Sequence, residues 1–359
     1  MTRVAVAHDY LTQRGGAERV ALELTRIFPG AVLHTTAHAP TSTFAEFADV
    51  EVRDVPWLSR VVSTLGDVRL ALPLISRAVR DLGTVEADLV VASSSGWAHG
   101  IATSGAKIVY CHNPARWLYQ PDAYFAAYSP VVRRALTSLM APLRRWDARA
   151  AASADLYLAN SRNVAERIRA TYGLEAIVVH PPRGVEVEGP QEPVPGLPED
   201  FYLTVGRRRA YKNWTEVAAA FDGTHRHLVQ VGGEPLQGPN FTHVQGVSDA
   251  TLRWLFSHTR ALVAMSDEDF GLTPVECYAF GTPAIVLAAG GYLETSSPVS
   301  TVSVDDISVG SIRAAMAELE ARDWDRDAIR RHGEQWSPAS FRTRLLTAIA
   351  SVSRPDVAA

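Results

Sequence analysis

The feature that most constrains this chain is an alternation, met twice, of short apolar runs with stretches of helical spacing. In the first half, Val4–Ala7, Ala31–Thr35, "DLVVASSS" (Asp88–Ser95), "KIVYCHNP" (Lys107–Pro114), Asp155–Ala159 and Ile177–Val179 read as strands. Between them, apolar residues recur at helical spacing over Ala17–Phe28, around Val61–Leu82 and over Arg162–Tyr172. A strand that is apolar at successive positions has no wet face, so these runs predict a parallel sheet covered by helices on both sides. "VEVEGPQEPVPGLPED" (Val185–Asp200), with four prolines and two glycines, breaks the pattern and reads as a linker. The alternation restarts at Phe201–Val205 and continues through His227–Val231, Ala261–Ala264 and Ala284–Leu287. The expectation is an α/β chain of two doubly wound domains, 1–184 and 201–335, hinged at 185–200 and facing a cleft. In such sheets ligands bind at the C-terminal ends of the strands.

Charge and cysteine content narrow the classes. A formal charge of −4 gives no reason to expect nucleic-acid binding. Two cysteines, Cys111 and Cys277, are too few for a disulfide framework and suit a reducing compartment. The apolar run in "MTRVAVAHDY" is too short for a signal peptide, and no uncharged apolar run is long enough to span a bilayer. These features predict a cytoplasmic protein. The segment 131–152 carries Arg133, Arg134, Arg144, Arg145 and Arg149 among apolar residues. It reads either as a contact with anionic lipid on the inner membrane face or as a solvated helix face interrupted by Pro142.

The stretch "EDFGLTPVECYAFGTPAIV" (Glu268–Val286) places two acids around a predicted helix start. Thr273 suits the N-cap and Pro274 the first helical position of a helix Val275–Phe280, which Gly281 ends. Glu276 is then either the partner of Thr273 in a capping box or a ligand-binding acid one turn into the helix. A helix N-terminus at the end of a strand offers free N–H groups and partial positive charge to a phosphate. A carboxylate beside it can accept from a pair of ribose hydroxyls.

Glu268-(seven residues)-Glu276 resembles the signature of family-4 retaining glycosyltransferases of the GT-B fold. Other segments agree and keep that family's order: "GGAERV" (Gly15–Val20), "YCHNPARWLY" (Tyr110–Tyr119), "LANSRNVAERIRATYG" with "VVHPPRGVE", "TVGRRRAYKN" (Thr204–Asn213) and "GGYLET" (Gly290–Thr295). The resemblance runs from about Val4 to Thr295 and is most like the branch of bacterial GDP-mannose-dependent mannosyltransferases. It implies an acceptor-side first domain, a donor-binding second domain, and C-terminal helices, about 336–352, that pack back on the first.

The resemblance also implies roles. Arg207 and Lys212 would neutralise the donor diphosphate, whereas Arg208 and Arg209 are solvated or structural. His112 would position the donor sugar. Glu268 would face the transferred sugar and Glu276 the ribose. Gly15, Gly16, Gly290 and Gly291 would allow close approach, with Phe270, Gly271, Leu272 and Thr273 completing the donor site. His99 is either acceptor-lining or an ordinary loop residue, and Arg116 is an acceptor-side candidate. Cys111 and His112 are adjacent on a strand end and so point apart, which disfavours a Cys–His nucleophile. Asp267-x-Asp269 and Asp325-x-Asp327 have the form of a metal-binding pair. Two cations on a separate phosphate loop, however, predict a reaction without metal or cofactor. After Thr295 the chain departs from the family pattern, and Tyr211 puts an aromatic before Lys212. The function implied is transfer of a hexose with retention by a same-face mechanism. The donor is a nucleoside diphosphate sugar, with mannose from GDP-mannose favoured. The acceptor is a carbohydrate, lipid-linked or small-molecule hydroxyl. A glucan synthase- or phosphorylase-like enzyme on the same fold, and a nucleotide-sugar-binding regulator without catalysis, stay open as alternatives.

Overall fold

The apolar runs of the first half pair side by side in one parallel sheet. Its strands are β1 (Val4–His8), β2 (Leu33–Thr35), β3 (Val52–Arg53), β4 (Leu89–Ser94), β5 (Ala106–Cys111), β6 (Leu156–Ala159) and β7 (Ala176–Val178), in the order β3-β2-β1-β4-β5-β6-β7. The computed structural model describes residues 2–66, 68–125, 129–138, 140–206 and 212–351. The chain divides into two units, Met1–His180 with Arg342–Ala359, and Pro181–Phe341.

In the first unit Val90 and Val91 are successive and both 0 % exposed, so both faces of β4 are covered, as a continuous apolar run requires. The strand order reverses at β1: β2 and β3 lie on one side and β4 on the other. The crevice between β1 and β4 is therefore the switch point where doubly wound sheets bind ligands. Helix Arg162–Tyr172 has its predicted bounds, capped by Ser161, whose hydroxyl accepts from the Val164 amide, and closed by Gly173. The predicted helical region Val61–Leu82 is instead three pieces: Pro56–Leu65, a 3₁₀ segment Val68–Leu74 and Ile75–Asp81. Gly66 adopts φ 69°, the left-handed cap that ends the first piece. Two further helices, Pro130–Ser138 and Met140–Ala151, carry the basic segment. Pro142 lies in the first turn of the second one, where its missing N–H has no intrahelical partner to lose. Arg133, Arg134, Arg145 and Arg149 are exposed, and Arg144 donates to the Leu118 carbonyl at 2.9 and 2.6 Å.

The second unit repeats the pattern with β8 (Tyr202–Val205), β9 (Leu228–Val231), β10 (Phe241–Val244), β11 (Ala261–Ala264), β12 (Ala284–Leu287) and β13 (Thr301–Val304). All pair in parallel, in the order β10-β9-β8-β11-β12-β13, which puts the switch point between β8 and β11. The proline-rich segment is strapped to this unit. Val185 is buried in its core, Val187, Val194 and Leu197 pack against it, and Arg253 donates to the Glu186 carbonyl at 2.8 Å. The last helix, Pro338–Ala350, starts in the second unit, and from Arg342 onward the chain belongs to the first. There Thr343, Thr347 and Ala348 line a groove with Ile177 and Val179 beside β7. Among the described residues no helix is long and apolar enough to cross a membrane.

Candidate functional site

The switch point of the second unit gathers most of the residues singled out there. The loop after β8 is tied across it, because the Asn213 side-chain amide donates to the Met265 carbonyl just past β11, at 2.7 Å. Asn213 itself sits at φ 52°, a left-handed position that asparagine tolerates. This fixes Lys212, whose ammonium lies 2.5 Å from a Glu268 carboxylate oxygen, with both side chains under one-fifth exposed. Ser266 donates to the same carboxylate oxygen at 3.2 Å, and the Tyr292 hydroxyl meets Ser266 at 3.0 Å. With its proton on Glu268, Ser266 accepts from Tyr292, so a three-member chain orients the acid. Arg207, together with Arg208, Arg209 and Tyr211, lies outside the described residues.

The helix holding Glu276 spans Leu272–Ala279, and its N-cap is Gly271 rather than Thr273. The reason is local. Gly271 has φ 87°, and a Cβ there would lie 2.1 Å from the Tyr292 ring, so the chain turns into the helix two residues early. The capping-box reading of Glu276 gives way with it. Its carboxylate instead accepts from the Gly184 amide at 3.0 Å. Leu272 and Thr273 open the helix and are half-buried, whereas the Phe270 ring is 3 % exposed and packed in the core toward Trp336. Phe270 can therefore meet a ligand only through its backbone. Gly290 has φ 54°, and a Cβ there would sit 2.3 Å from the Glu268 carbonyl and from an Asp267 carboxylate oxygen. A Cβ on Gly291 would sit 2.3 Å from the Phe270 backbone. The loops after β11 and β12 thus touch backbone to backbone beside Glu268.

The Asp325-x-Asp327 pair is engaged within its own helix. Asp325 is the N-cap of helix Arg326–Gly333, accepting from the Asp327 and Ala328 amides at 2.9 and 3.0 Å, and Asp327 pairs with Arg330 at 2.6 Å. Among the described residues no three His, Cys, Asp or Glu side chains cluster as metal ligands.

In the first unit the ends of β1, β4 and β5 carry a row of polar side chains. His8 and Ser93 are register partners, and Ser93 bridges the two imidazoles: 3.0 Å to His8 Nδ1 and 2.7 Å to His112 Nε2. His112 is half-buried; its amide donates to the Ser94 carbonyl at 2.8 Å, and its carbonyl accepts from Asn160 at 3.1 Å. Asp9 pins the loop after β4, accepting from the Ser95, Trp97 and Ala98 amides at 2.5, 3.1 and 2.7 Å and from Ser94 Oγ at 3.2 Å. Burial pushes its carboxyl above the usual range, opposed by His8 and by those amides. Gly15 is the N-cap of helix Gly16–Ile27, so the glycine pair turns the chain into that helix. The following Glu18 is 1 % exposed, accepts from Gln13 at 2.8 Å and faces His8 Nε2 at 3.9 Å. Burial raises its carboxyl, but His8 and Gln13 outweigh that and hold it below the usual range.

His99 is not an acceptor-lining residue. It is 2 % exposed, with Nδ1 at 3.2 Å from Ser94 Oγ and Nε2 at 3.2 Å from Asp147. Asp147 also accepts from Tyr119 and Tyr172, both at 2.8 Å, which makes the cluster part of the unit's interior. Arg116 begins the short helix Arg116–Tyr119 and is half-buried. Cys111 is buried in the core at the end of β5 while His112 faces the row of strand ends, so the two side chains are separated as expected. Sequence reasoning missed His8, Asp9, Glu18, Ser93, Ser266 and Tyr292. The polar residues closing "AVAHD" and "VVASSS" were the available signal, since a polar residue at the last position of a buried strand faces the ligand edge of the sheet.

Residues 14–188 match the family model described as Glycosyltransferase Family 4. A curated relative, putative glycosyltransferase 63 of Sulfolobus islandicus filamentous virus (isolate Iceland/Hveragerdi), is 24 % identical over 125 residues, 34 % of this chain. That match spans only 43 % of the relative's length. Among solved structures, Anabaena HepE in complex with UDP and glucose superposes with a TM-score of 0.67 at 14 % identity, covering 98 % of this chain and all of that one. Sucrose-phosphate synthase from Thermosynechococcus elongatus superposes at 0.65 with 15 % identity, covering 98 % of this chain and 99 % of that one. At these identities the likeness concerns the fold: two Rossmann-like parallel-sheet units, the GT-B architecture.

Proposed function

We propose that the chain is a family-4 glycosyltransferase that moves a hexose from a nucleoside diphosphate sugar to an acceptor hydroxyl, with retention and without a metal. The observation that carries this reading is the juxtaposition of Lys212 and Glu268 at the switch point of the second unit, beside the Leu272 helix start and the Gly290 loop. A cation and an acid held together at a phosphate-binding crevice suit a donor with a pyrophosphate at one end and hydroxyls at the other. On donor binding Lys212 turns from Glu268 to the diphosphate, joined by Arg207 and the helix amides, which stabilise the leaving phosphate. Glu268 then accepts from a hydroxyl of the transferred sugar, and Glu276 from the ribose. Orienting the sugar is the role that the resemblance of "CHNPARWLY" gives His112. The bond from the anomeric carbon to the phosphate oxygen breaks. The acceptor oxygen bonds to that carbon on the same face, and its proton passes to the departing phosphate oxygen.

Mannose from GDP-mannose is the donor favoured by the resemblance of "CHNPARWLY" and "VVHPP"; the fold is also that of an Anabaena protein solved with UDP and glucose. A panel of nucleotide sugars with EDTA present, read by thermal shift and by nucleoside diphosphate release, tests the reading. Stabilisation by GDP and release from GDP-mannose support it. Stabilisation by UDP alone reassigns the base, and activity abolished by EDTA overturns the metal-free mechanism. Arg133, Arg134, Arg145 and Arg149 would hold the protein to anionic lipid, which sedimentation with phosphatidylglycerol vesicles tests against neutral ones.

A further inference from the structure

Three parallel strand ends in the first unit place His8, Ser93 and His112 in a row, and behind them lies an acid. Ser93 is 0 % exposed and His8 2 %. Glu18 is buried beside them; its Oε1 accepts from Gln13 at 2.8 Å and lies 3.9 Å from His8 Nε2. Among the described residues Asp9, next to it at the strand end, and Thr35, its uncharged register partner on β2, also flank His8. Around His112 stand the Tyr110 ring, edge-on with centroids 5.3 Å apart, and Asn160. Burial keeps the Tyr110 phenol neutral.

A serine hydroxyl has one proton. Placed between two imidazole nitrogens at 3.0 and 2.7 Å, it donates to one ring and accepts from the other. When His8 is neutral with its proton on Nε2 toward Glu18, its Nδ1 is an acceptor. Ser93 then donates to His8 and accepts from His112 Nε2–H. When His8 is protonated, its Nδ1–H donates to Ser93, the hydroxyl turns, and His112 Nε2 becomes the acceptor. Charging both rings would aim two donors at one oxygen and leave the hydroxyl proton unpaired in the interior, which is costly.

We propose that Glu18, His8 and Ser93 form a relay that sets which ring nitrogen of His112 carries its proton, and so whether His112 offers the sugar an N–H or a lone pair. The change takes up one proton in net. His8 gains it from solvent, and His112 gives up its Nε2 proton and receives one at Nδ1. Ser93, His8 and Glu18 are positioning residues acting through His112, and the role of His112 at the sugar rests on the functional reading above. The relay itself is a property of the free protein and is measured without donor.

The test is ring-nitrogen NMR of the histidine-labelled, unliganded protein between about pH 5 and 8, with His8 and His112 assigned by substitution. The expected result is that the protonated nitrogen of His112 changes with the same midpoint as the charge on His8. In Ser93→Ala the two are uncoupled, and His112 keeps one tautomer mixture while His8 titrates. In Glu18→Gln the two changes move together and keep one shared midpoint, because Ser93 still joins the rings. A His112 that holds one tautomer in the unaltered protein while His8 titrates overturns the relay, as does a His8 that stays neutral throughout. The measurement on the unaltered protein decides the matter even where a variant fails to fold. A relay that behaves as expected in a protein with no transfer activity would count against the functional reading alone.

Discussion

Lys212 and Glu268 close the switch point of the second unit on each other: the ammonium and carboxylate are 2.5 Å apart. Under the proposed function, donor binding exchanges this ion pair for one between Lys212 and the diphosphate. Lys212→Met is expected to weaken donor binding by about ten- to a hundredfold, the range for one charged hydrogen bond to phosphate. Glu268→Gln is expected to keep most donor affinity and lose about a hundredfold or more in turnover, as the proposed place of its negative charge at the reacting sugar requires. Calorimetry with the donor and single-turnover product formation separate the two effects. Equal loss of affinity in both variants would show the pair to be structural.

Gly290→Ala tests the backbone contact between the loops after β11 and β12. With φ 54° and 2.3 Å to the Glu268 carbonyl, an added Cβ must push that loop away. The variant should lose about 1–3 kcal/mol of stability and bind donor more weakly than Gly310→Ala, whose Cβ would meet only Ser308 Oγ at 3.9 Å. Urea denaturation and donor titration of both variants check this.

Asp9→Asn leaves the shape of the β1 end unchanged but turns an NH₂ toward the donors Asp9 now accepts. Because three backbone amides converge on this buried carboxylate, the loss should be about 2–3 kcal/mol. The loop Ser95–Ala98 should then exchange its amide hydrogens faster, which hydrogen-exchange mass spectrometry reads directly.

The second unit should show one identifiable acid-sensitive contact. Arg226 grips Glu320 through two bonds of 2.7 Å, with Tyr202 donating at 2.8 Å, and these hold the Glu320 carboxyl down at about 2 against its ordinary value of 4.5. A folded-state value below the unfolded one means the stabilisation is complete above pH 4.5 and is lost as pH falls toward 2. Glu320 is exposed, so screening limits the contribution to about 1 kcal/mol. Glu320→Gln should be less stable by that amount at neutral pH, and the gap should close on acidification. A constant gap across the acid range would contradict the assignment.

Much of the sheet was legible because buried parallel strands are apolar at every position. Ala261–Ala264 and Ala284–Leu287 have their predicted bounds for that reason. Phe241–Val244 escaped notice because it is an edge strand, half-buried throughout and mixed in polarity. The helix start at Leu272 was misplaced because "TP" is a strong local signal, overridden here by Gly271 turning under the Tyr292 ring. That contact joins residues 21 apart, and no local rule contains it. The same holds in the first unit: His8 and Ser93 are 85 residues apart, and only the strand order β1-β4-β5 makes them neighbours. Neither reading of His99 contained its buried acid partner, because a histidine in a serine- and glycine-rich loop gives no hint of Asp147 beneath it.

The last helix hands the chain back to the first unit at Arg342, where its residues line a groove beside β7. On the ribosome, then, strands β1 to β7 emerge long before the segment that completes their far edge. The whole of Pro181–Phe341 is synthesised in between. Until Arg342 and the residues after it are made, Val179, 1 % exposed in the finished chain, lacks part of its cover, and the order of synthesis obliges the earlier unit to wait for the later one.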